Sequence, residues 1–287
     1  MIESDACVRS LISGIKTFVT IAHGRGFPIE LSSGTLARPV SSWYDNDAVV
    51  PAGPWRRPTS REAAILTCGF VPEDYGSAIS LVSLPRSILQ PFEPLRAAAA
   101  VGADNRELNA LLAGSTFDDA THSVMNYVNT HLRTSTDVEP VEELNGGIYL
   151  RAPAQCTVTT DPNSGKHIGL HVDNWNNYPI ASRGKAPNRI TINLGCEDRF
   201  LLFVNIAIGA MYERVQALVR GVYHTTAIGR VFMSLFPSYP VVRLRIRPGE
   251  GYIAPTENIV HDASTTGTTA WDITLSLRGR IALVPKN

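Results

Sequence analysis

The sequence predicts a mainly β fold with supporting α-helices: a jelly roll or sandwich in the second half of the chain, braced by a helical first half. Two observations carry this. Beyond about residue 145 the chain breaks into short β-branched and aromatic runs separated by turn residues. One helical segment interrupts them instead of a helix after every strand, which argues against a parallel α/β sheet. Before that point, apolar residues recur at helical spacing between Pro- and Gly-rich connections.

In chain order, residues 6–22 place Val8, Leu11, Ile12, Ile15 and Val19 at helical spacing. Residues 38–58, dense in Pro, Gly and Asp, read as an irregular loop. Ser60 offers a cap for a helix over 60–70, and Leu108, Leu111 and Leu112 mark another that stops before Gly114. Residues 117–132 form a longer helical pattern presenting Val124, Met125 and Val128. Strands are then expected at 147–152, 156–161, 168–173, 189–195, 199–206, 241–248, 251–255 and 272–284, with a helix at 209–221. We treat residues 1–287 as a single catalytic unit, 1–146 being mainly helical support and 147–287 the β core that carries the chemistry.

Composition narrows the function. Lys+Arg and Asp+Glu are equal at 26 each, so the chain lacks the basic field that nucleic acid or an anionic membrane would need. The expected partner is a small-molecule substrate; oligomeric state is unreadable. Cys7, Cys68, Cys156 and Cys196 stand apart, as reduced thiols do. The N-terminal apolar run follows acids, not a basic region, and no run is long enough to span a membrane, so a cytoplasmic protein is expected.

The segment "GLHVDNW", 169–175, sets His171 and Asp173 two residues apart in an apolar run. In a strand those side chains share a face, so an imidazole nitrogen and a carboxylate oxygen can reach one divalent metal. With seven histidines in the chain, one such spacing is weak evidence, and a buried His–Asp hydrogen bond or a chance match is the more ordinary explanation of it taken alone. The downstream order strengthens the metal reading: a turn at Gly249–Gly251, a run ending at Pro255, then His261, then a strand containing Arg278 and Arg280.

On these residues the chain resembles the Fe(II)/2-oxoglutarate-dependent dioxygenases, whose motif is H-x-D/E…H…R on a double-stranded β-helix (jelly roll, cupin-like). The resemblance spans roughly residues 147–285. It implies that His171, Asp173 and His261 are the iron ligands, with open positions left for 2-oxoglutarate and O2. It implies too that Arg278 grips the distal carboxylate of 2-oxoglutarate, for which a planar guanidinium fork is suited. Alternation puts Thr274, Ser276, Arg278 and Arg280 on one face, so Ser276 or Thr274 can add a hydroxyl and Arg280 competes with Arg278 as anchor. Arg189 is a further candidate; Arg243, Arg245 and Arg247 read as the polar outer face of a strand. His167, four residues before His171, is expected at the rim of the site, and Trp175, Asn176 and Tyr178 in the following loop are candidates to line a substrate pocket.

The implied activity is hydroxylation of an unactivated C–H in a small molecule, an amino acid or specialised-metabolite intermediate, with release of succinate and CO2. By the same resemblance, the carboxylate at Asp173 argues against halogenation, while desaturation, cyclisation and epimerisation use the same triad. Two rivals remain at this point: a cupin-like metal-dependent dioxygenase or isomerase that uses no 2-oxo acid, and a non-catalytic ligand-binding β-sandwich.

Overall fold

A computed structural model describes residues 11–18, 27–70, 76–114, 116–132, 145–221 and 223–283. Its strands are β1 (Lys16–Phe18), β2 (Ile29–Leu31), β3 (Gly34–Ala37), β4 (Tyr44–Ala52), β5 (Thr67–Cys68), β6 (Ala78–Ser83) and β7 (Asn145–Arg151), then β8 (His167–Gly169), β9 (Asn188–Asn193), β10 (Arg199–Ala207), β11 (Val242–Ile246), β12 (Glu250–Ala254), β13 (Ile259–Ser264) and β14 (Asp272–Gly279). Its helices are α1 (Ser60–Leu66), α2 (Arg86–Leu89), α3 (Glu93–Ala100), α4 (Asn105–Leu112), α5 (Thr116–His131), α6 (Ile208–Leu218) and α7 (Thr225–Leu235). Strand and helix contents are about equal, so the fold is mixed and not mainly β. Among the described residues no helix is long and apolar enough to cross a membrane.

A seven-stranded sheet runs β5-β1-β6-β12-β9-β14-β7 and a four-stranded sheet runs β13-β10-β11-β2. Strands β3, β4 and β8 make a third, smaller sheet. Immediately after β8, His171 bridges to His261 on β13, which carries the chain onto the edge of the four-stranded sheet. Counting the strands of the second half in order, with this bridging segment as the second, the pairing is first-eighth-third-sixth in one sheet and second-seventh-fourth-fifth in the other.

Period-two alternation decides what faces where. On β9 and β14, Ile190, Ile192, Ile273, Leu275 and Leu277 join a core with Phe92, Leu95, Leu108, Val124 and Val128 from the N-terminal helical region. Each such buried side chain contributes about 1.5–3 kcal/mol. The opposite face carries Arg189, Thr191 and Asn193 on β9 and Asp272, Thr274, Ser276 and Arg278 on β14. Strand β9 lies beside β14, so these polar residues form one patch. Two contacts tie this face to the four-stranded sheet: Arg199 of β10 meets Asp272 at 3.1 Å, and the Asn193 amide donates to the Ile246 carbonyl at 3.0 Å. Helices α6 and α7 cover the other sheet through Met211, Val215, Ile228 and Phe232. At Gly229 an added Cβ would lie 2.4 Å from Val260 Cγ2, so α7 needs the bare backbone to sit against β13.

Several expectations are corrected. Residues 16–18 are strand, not helix, because β1 is held in parallel between β5 and β6; pairing overrides local periodicity. The backbone at Gly14 packs directly on β10, where an added Cβ would meet the Asn205 carbonyl oxygen at 2.1 Å. Residues 6–10 and 19–22 of that segment lie outside the described residues. The loop expected over 38–58 contains β4, nine residues long and central to its sheet. Its alternation is broken at Asp47, which takes φ 64°, so the sequence shows no clean period of two. Residues 156–161 form no strand beyond a single bridge at Thr160, because the Asp262 carboxylate takes the Val158 and Thr159 amides that a ladder would use. Helix α7 was not expected at all. Helix α1 is capped by Thr59, not Ser60, in a capping box with Glu62.

The buried Arg199–Asp272 pair crosses between the sheets, and removing one partner strands a charge. Asp272→Ala should cost about 3–5 kcal/mol in urea unfolding, whereas Arg199→Met with Asp272→Leu should recover most of that. A single variant as stable as the parent would show that the pair does not clamp the sheets.

Candidate metal centre

His171 and Asp173 lie on the extended segment after β8, and His261 lies within β13. The His171 amide donates to the His261 carbonyl at 3.0 Å, and the His261 amide donates back to His171 at 2.8 Å. A reciprocal pair of this kind holds two Cα atoms about 5.5 Å apart. The imidazole centroids accordingly stand 4.7 Å from each other. Two residues on, the Asp173 amide donates to the Thr256 carbonyl at 3.2 Å, keeping the segment extended so that the carboxylate returns to the face of His171.

Both rings are oriented by main chain. His171 Nδ1 lies 2.9 Å from the Gly169 carbonyl and His261 Nδ1 lies 3.4 Å from the Ile259 carbonyl. A carbonyl only accepts, so in the neutral form of each ring Nδ1 carries the proton and Nε2 keeps the lone pair. His171 Nε2 is 3.7 Å from Asp173 Oδ1, and His261 Nε2 is 3.8 Å from Asp173 Oδ2. One ligand atom from each residue lies within 4.8 Å of the other two, and among the described residues no other three such side chains converge in this way. Two imidazole nitrogens and one carboxylate oxygen, with no thiolate, suit a divalent first-row metal.

Charge is concentrated here. Burial pushes the His261 imidazole down to about 3, against the pull of Asp173, so it is neutral at physiological pH. Burial opposes protonation of His171 too, but the neighbouring Asp173 and Asp262 carboxylates outweigh it, and its proton affinity rises. The same negative field favours a metal cation. Burial works against ionised Asp173, yet the Arg189 charge, then His261 and His171, hold it well below the usual carboxylate range. Arg189 Nη2 lies 2.9 Å from Asp173 Oδ2. That contact lacks the angle of a hydrogen bond, so Oδ2 is a buried oxygen without a hydrogen-bond donor among the described residues. Ligand-ready Nε2 atoms and an unsatisfied carboxylate oxygen fit a bound cation.

Beside the triad opens a pocket of about 230 Å³, lined by Tyr149, Trp175, Arg189, Ser276 and Arg278 among others. Arg189 and Arg278 are direct cross-strand partners, an arrangement that like charges resist unless each is countered. Asp173 counters Arg189; Glu257 Oε1 accepts from Arg278 Nη2 at 2.8 Å. Among the described residues, Arg278 Nε is buried without a hydrogen-bond partner. Ser276 Oγ sits 3.1 Å from Thr191 Oγ1. Thr274 is buried lower on the same face, opposite Asn193. Arg280 follows the end of β14 and is not among the residues lining the pocket. Of the loop candidates, Trp175 lines the pocket and is 64% exposed, while Asn176 and Tyr178 do not line it.

His167 is not at the triad. Gly169, at φ 72° and with Val49 O only 2.4 Å from where a Cβ would be, breaks the alternation between His167 and His171. His167 instead meets Tyr44 in a tilted ring contact and lines a separate pocket with Trp43 and Arg151. Arg243 pairs with Glu30 away from the site. The sequence reading missed Arg183 and Glu257. Arg183, fully buried, donates to the carbonyls of Asp173 at 2.6 Å, Tyr178 at 2.9 Å and Glu257 at 3.2 Å, and to the Asn174 side chain. Glu257 joins it to Arg278, and burial raises the Glu257 carboxyl although Arg278 and Arg183 pull it down. An arginine in a polar loop and a glutamate in a Pro-Thr-Glu-Asn turn carry no local mark of burial.

No family model matches the sequence, and no curated protein matches it. Two solved structures of HygX from Streptomyces hygroscopicus are similar to the chain, one with iron bound and one with nickel and 2-oxoglutarate bound. The first is 15% identical, covering 70% of this chain and 81% of its own, and the second is 14% identical, covering 70% and 82%; both have a TM-score of 0.26. A likeness at that score carries no structural argument.

His171→Ala, Asp173→Ala and His261→Ala should each weaken divalent-metal binding by at least tenfold in calorimetric titration, with far-UV circular dichroism unchanged. Undiminished binding in any of them would remove that residue from the ligand set.

Proposed function

We propose that the chain is a non-haem Fe(II)/2-oxoglutarate-dependent dioxygenase that hydroxylates an unactivated C–H of a small molecule. The observation that carries this reading is the convergence of His171, Asp173 and His261 beside a pocket containing two arginines. The order of strand pairing supports a double-stranded β-helix, since two interlocked four-stranded sheets are what such a jelly roll requires. Two guanidiniums next to the triad favour a dicarboxylate co-substrate over a metal-dependent jelly roll that uses no 2-oxo acid. An amino acid or a specialised-metabolite intermediate is the substrate class we favour.

Iron(II) with 2-oxoglutarate and O2 supplies the oxidation: 2-oxoglutarate, O2 and R–H give succinate, CO2 and R–OH. The chain's part is placement. His171, Asp173 and His261 would hold the metal, as two imidazoles and one carboxylate suit iron(II). Glu257 takes one Nη2–H of Arg278 and leaves the buried Nε–H and the remainder of the fork for a carboxylate, with the Ser276 hydroxyl alongside. Arg183 fixes the main chain at Asp173 and at Glu257, so the metal ligand and the counter-ion of Arg278 are held by one buried cation. Trp175, which lines the pocket, would meet the substrate and limit water.

The test is succinate formation from 2-oxoglutarate by iron-loaded protein across a metabolite library. Turnover that needs no 2-oxoglutarate would contradict the proposal. Within it, Arg278→Ala should raise the half-saturating 2-oxoglutarate concentration about 100-fold, equivalent to about 2.7 kcal/mol. Arg278→Lys should recover part of that, since it keeps the charge without the fork, and Arg280→Ala should change it little. If Arg280→Ala carried the large effect, the anchor would lie beyond the end of β14.

A further inference from the structure

We infer that Arg189 is a counter-cation shared between the metal centre and the anion pocket, neutralising Asp173 in the metal-free chain and turning to a bound anion once a divalent cation occupies the triad. The inference rests on the metal-centre reading above. Two guanidiniums face the pocket, but their partners differ. Arg278 is held by Glu257, which is not in the triad. Arg189 is held by Asp173, which is. A cation between His171 Nε2, His261 Nε2 and Asp173 therefore competes for the partner of Arg189 alone. It also adds two positive charges within a few ångströms of that guanidinium.

Geometry allows the transfer. The Arg189–Asp173 contact is an ion pair at 2.9 Å without hydrogen-bond alignment, so little directional bonding is lost when it breaks. The Arg189 side chain is a quarter exposed and lines the pocket that Arg278 and Ser276 share. Strands β9 and β14 put Arg189 directly across from Arg278, so one dicarboxylate can meet both. Metal and anion binding are then linked, and the linkage is reciprocal: each tightens the other by the same factor.

Succinate, a dicarboxylate without a 2-oxo group to chelate metal, is titrated calorimetrically into metal-free and Co2+-loaded protein. In the parent chain Co2+ should tighten succinate binding at least tenfold. In Arg189→Gln that gain should fall below threefold, while metal-free Arg189→Gln should bind Co2+ more tightly than the parent, because no guanidinium competes for Asp173. Arg189→Lys, which keeps the charge, should retain part of the gain. Arg278→Gln should weaken succinate in both states and leave the gain intact. A full gain in Arg189→Gln, or a tenfold loss of its Co2+ affinity, would overturn the inference and leave the metal centre standing. Failure of Co2+ to bind the parent chain would overturn both.

Discussion

Two backbone hydrogen bonds exchanged between His171 and His261 join the segment after β8 to β13, and the candidate site is built outward from them. Because they are main-chain bonds in a ladder, they set the separation of the two imidazoles without relying on any flexible side chain. The carbonyls of Gly169 and Ile259 then fix which ring nitrogen is protonated. Asp173 falls beside them because the segment stays extended for two more residues. Gly169 is what allows the chain to leave β8 and enter this register, since Val49 crowds the space a side chain would need.

Around that frame the charges are arranged in pairs that cross structural boundaries. Arg183 and Glu257 connect the segment carrying His171 and Asp173 to the turn before β13 and then to β14 through Arg278. Asp262, behind His171 at 3.9 Å, spends its other oxygen on the amides of Val158 and Thr159. Buried ionic groups of this kind cost desolvation, so they contribute less to stability than to holding one arrangement. Loss of any member leaves an uncompensated charge, which ties the network to one arrangement.

Much of the site was legible in the sequence because it depends on short-range periodicity. The pairing of His171 with Asp173, and the shared face of Ser276 and Arg278, follow from a period of two on segments that are extended in the structure. His167 fails the same rule because one glycine at positive φ interrupts the alternation. Strand β4 was hidden by Asp47 for the same reason. Segments whose state is set by distant partners were illegible: β1 is a strand because β5 and β6 flank it, and residues 156–161 lose their ladder to the Asp262 side chain. Arg183 and Glu257 were missed because burial of a charged residue depends on a partner many residues away.

Anaerobic titration of the iron(II)-loaded chain with 2-oxoglutarate tests the assignment most directly, because a 2-oxo acid that chelates iron(II) through its carboxylate and keto oxygens gives a visible charge-transfer absorbance. A band that grows to a plateau at one equivalent, and that succinate does not produce, is the expected result. Iron that stays bound while excess 2-oxoglutarate leaves the spectrum unchanged would contradict it.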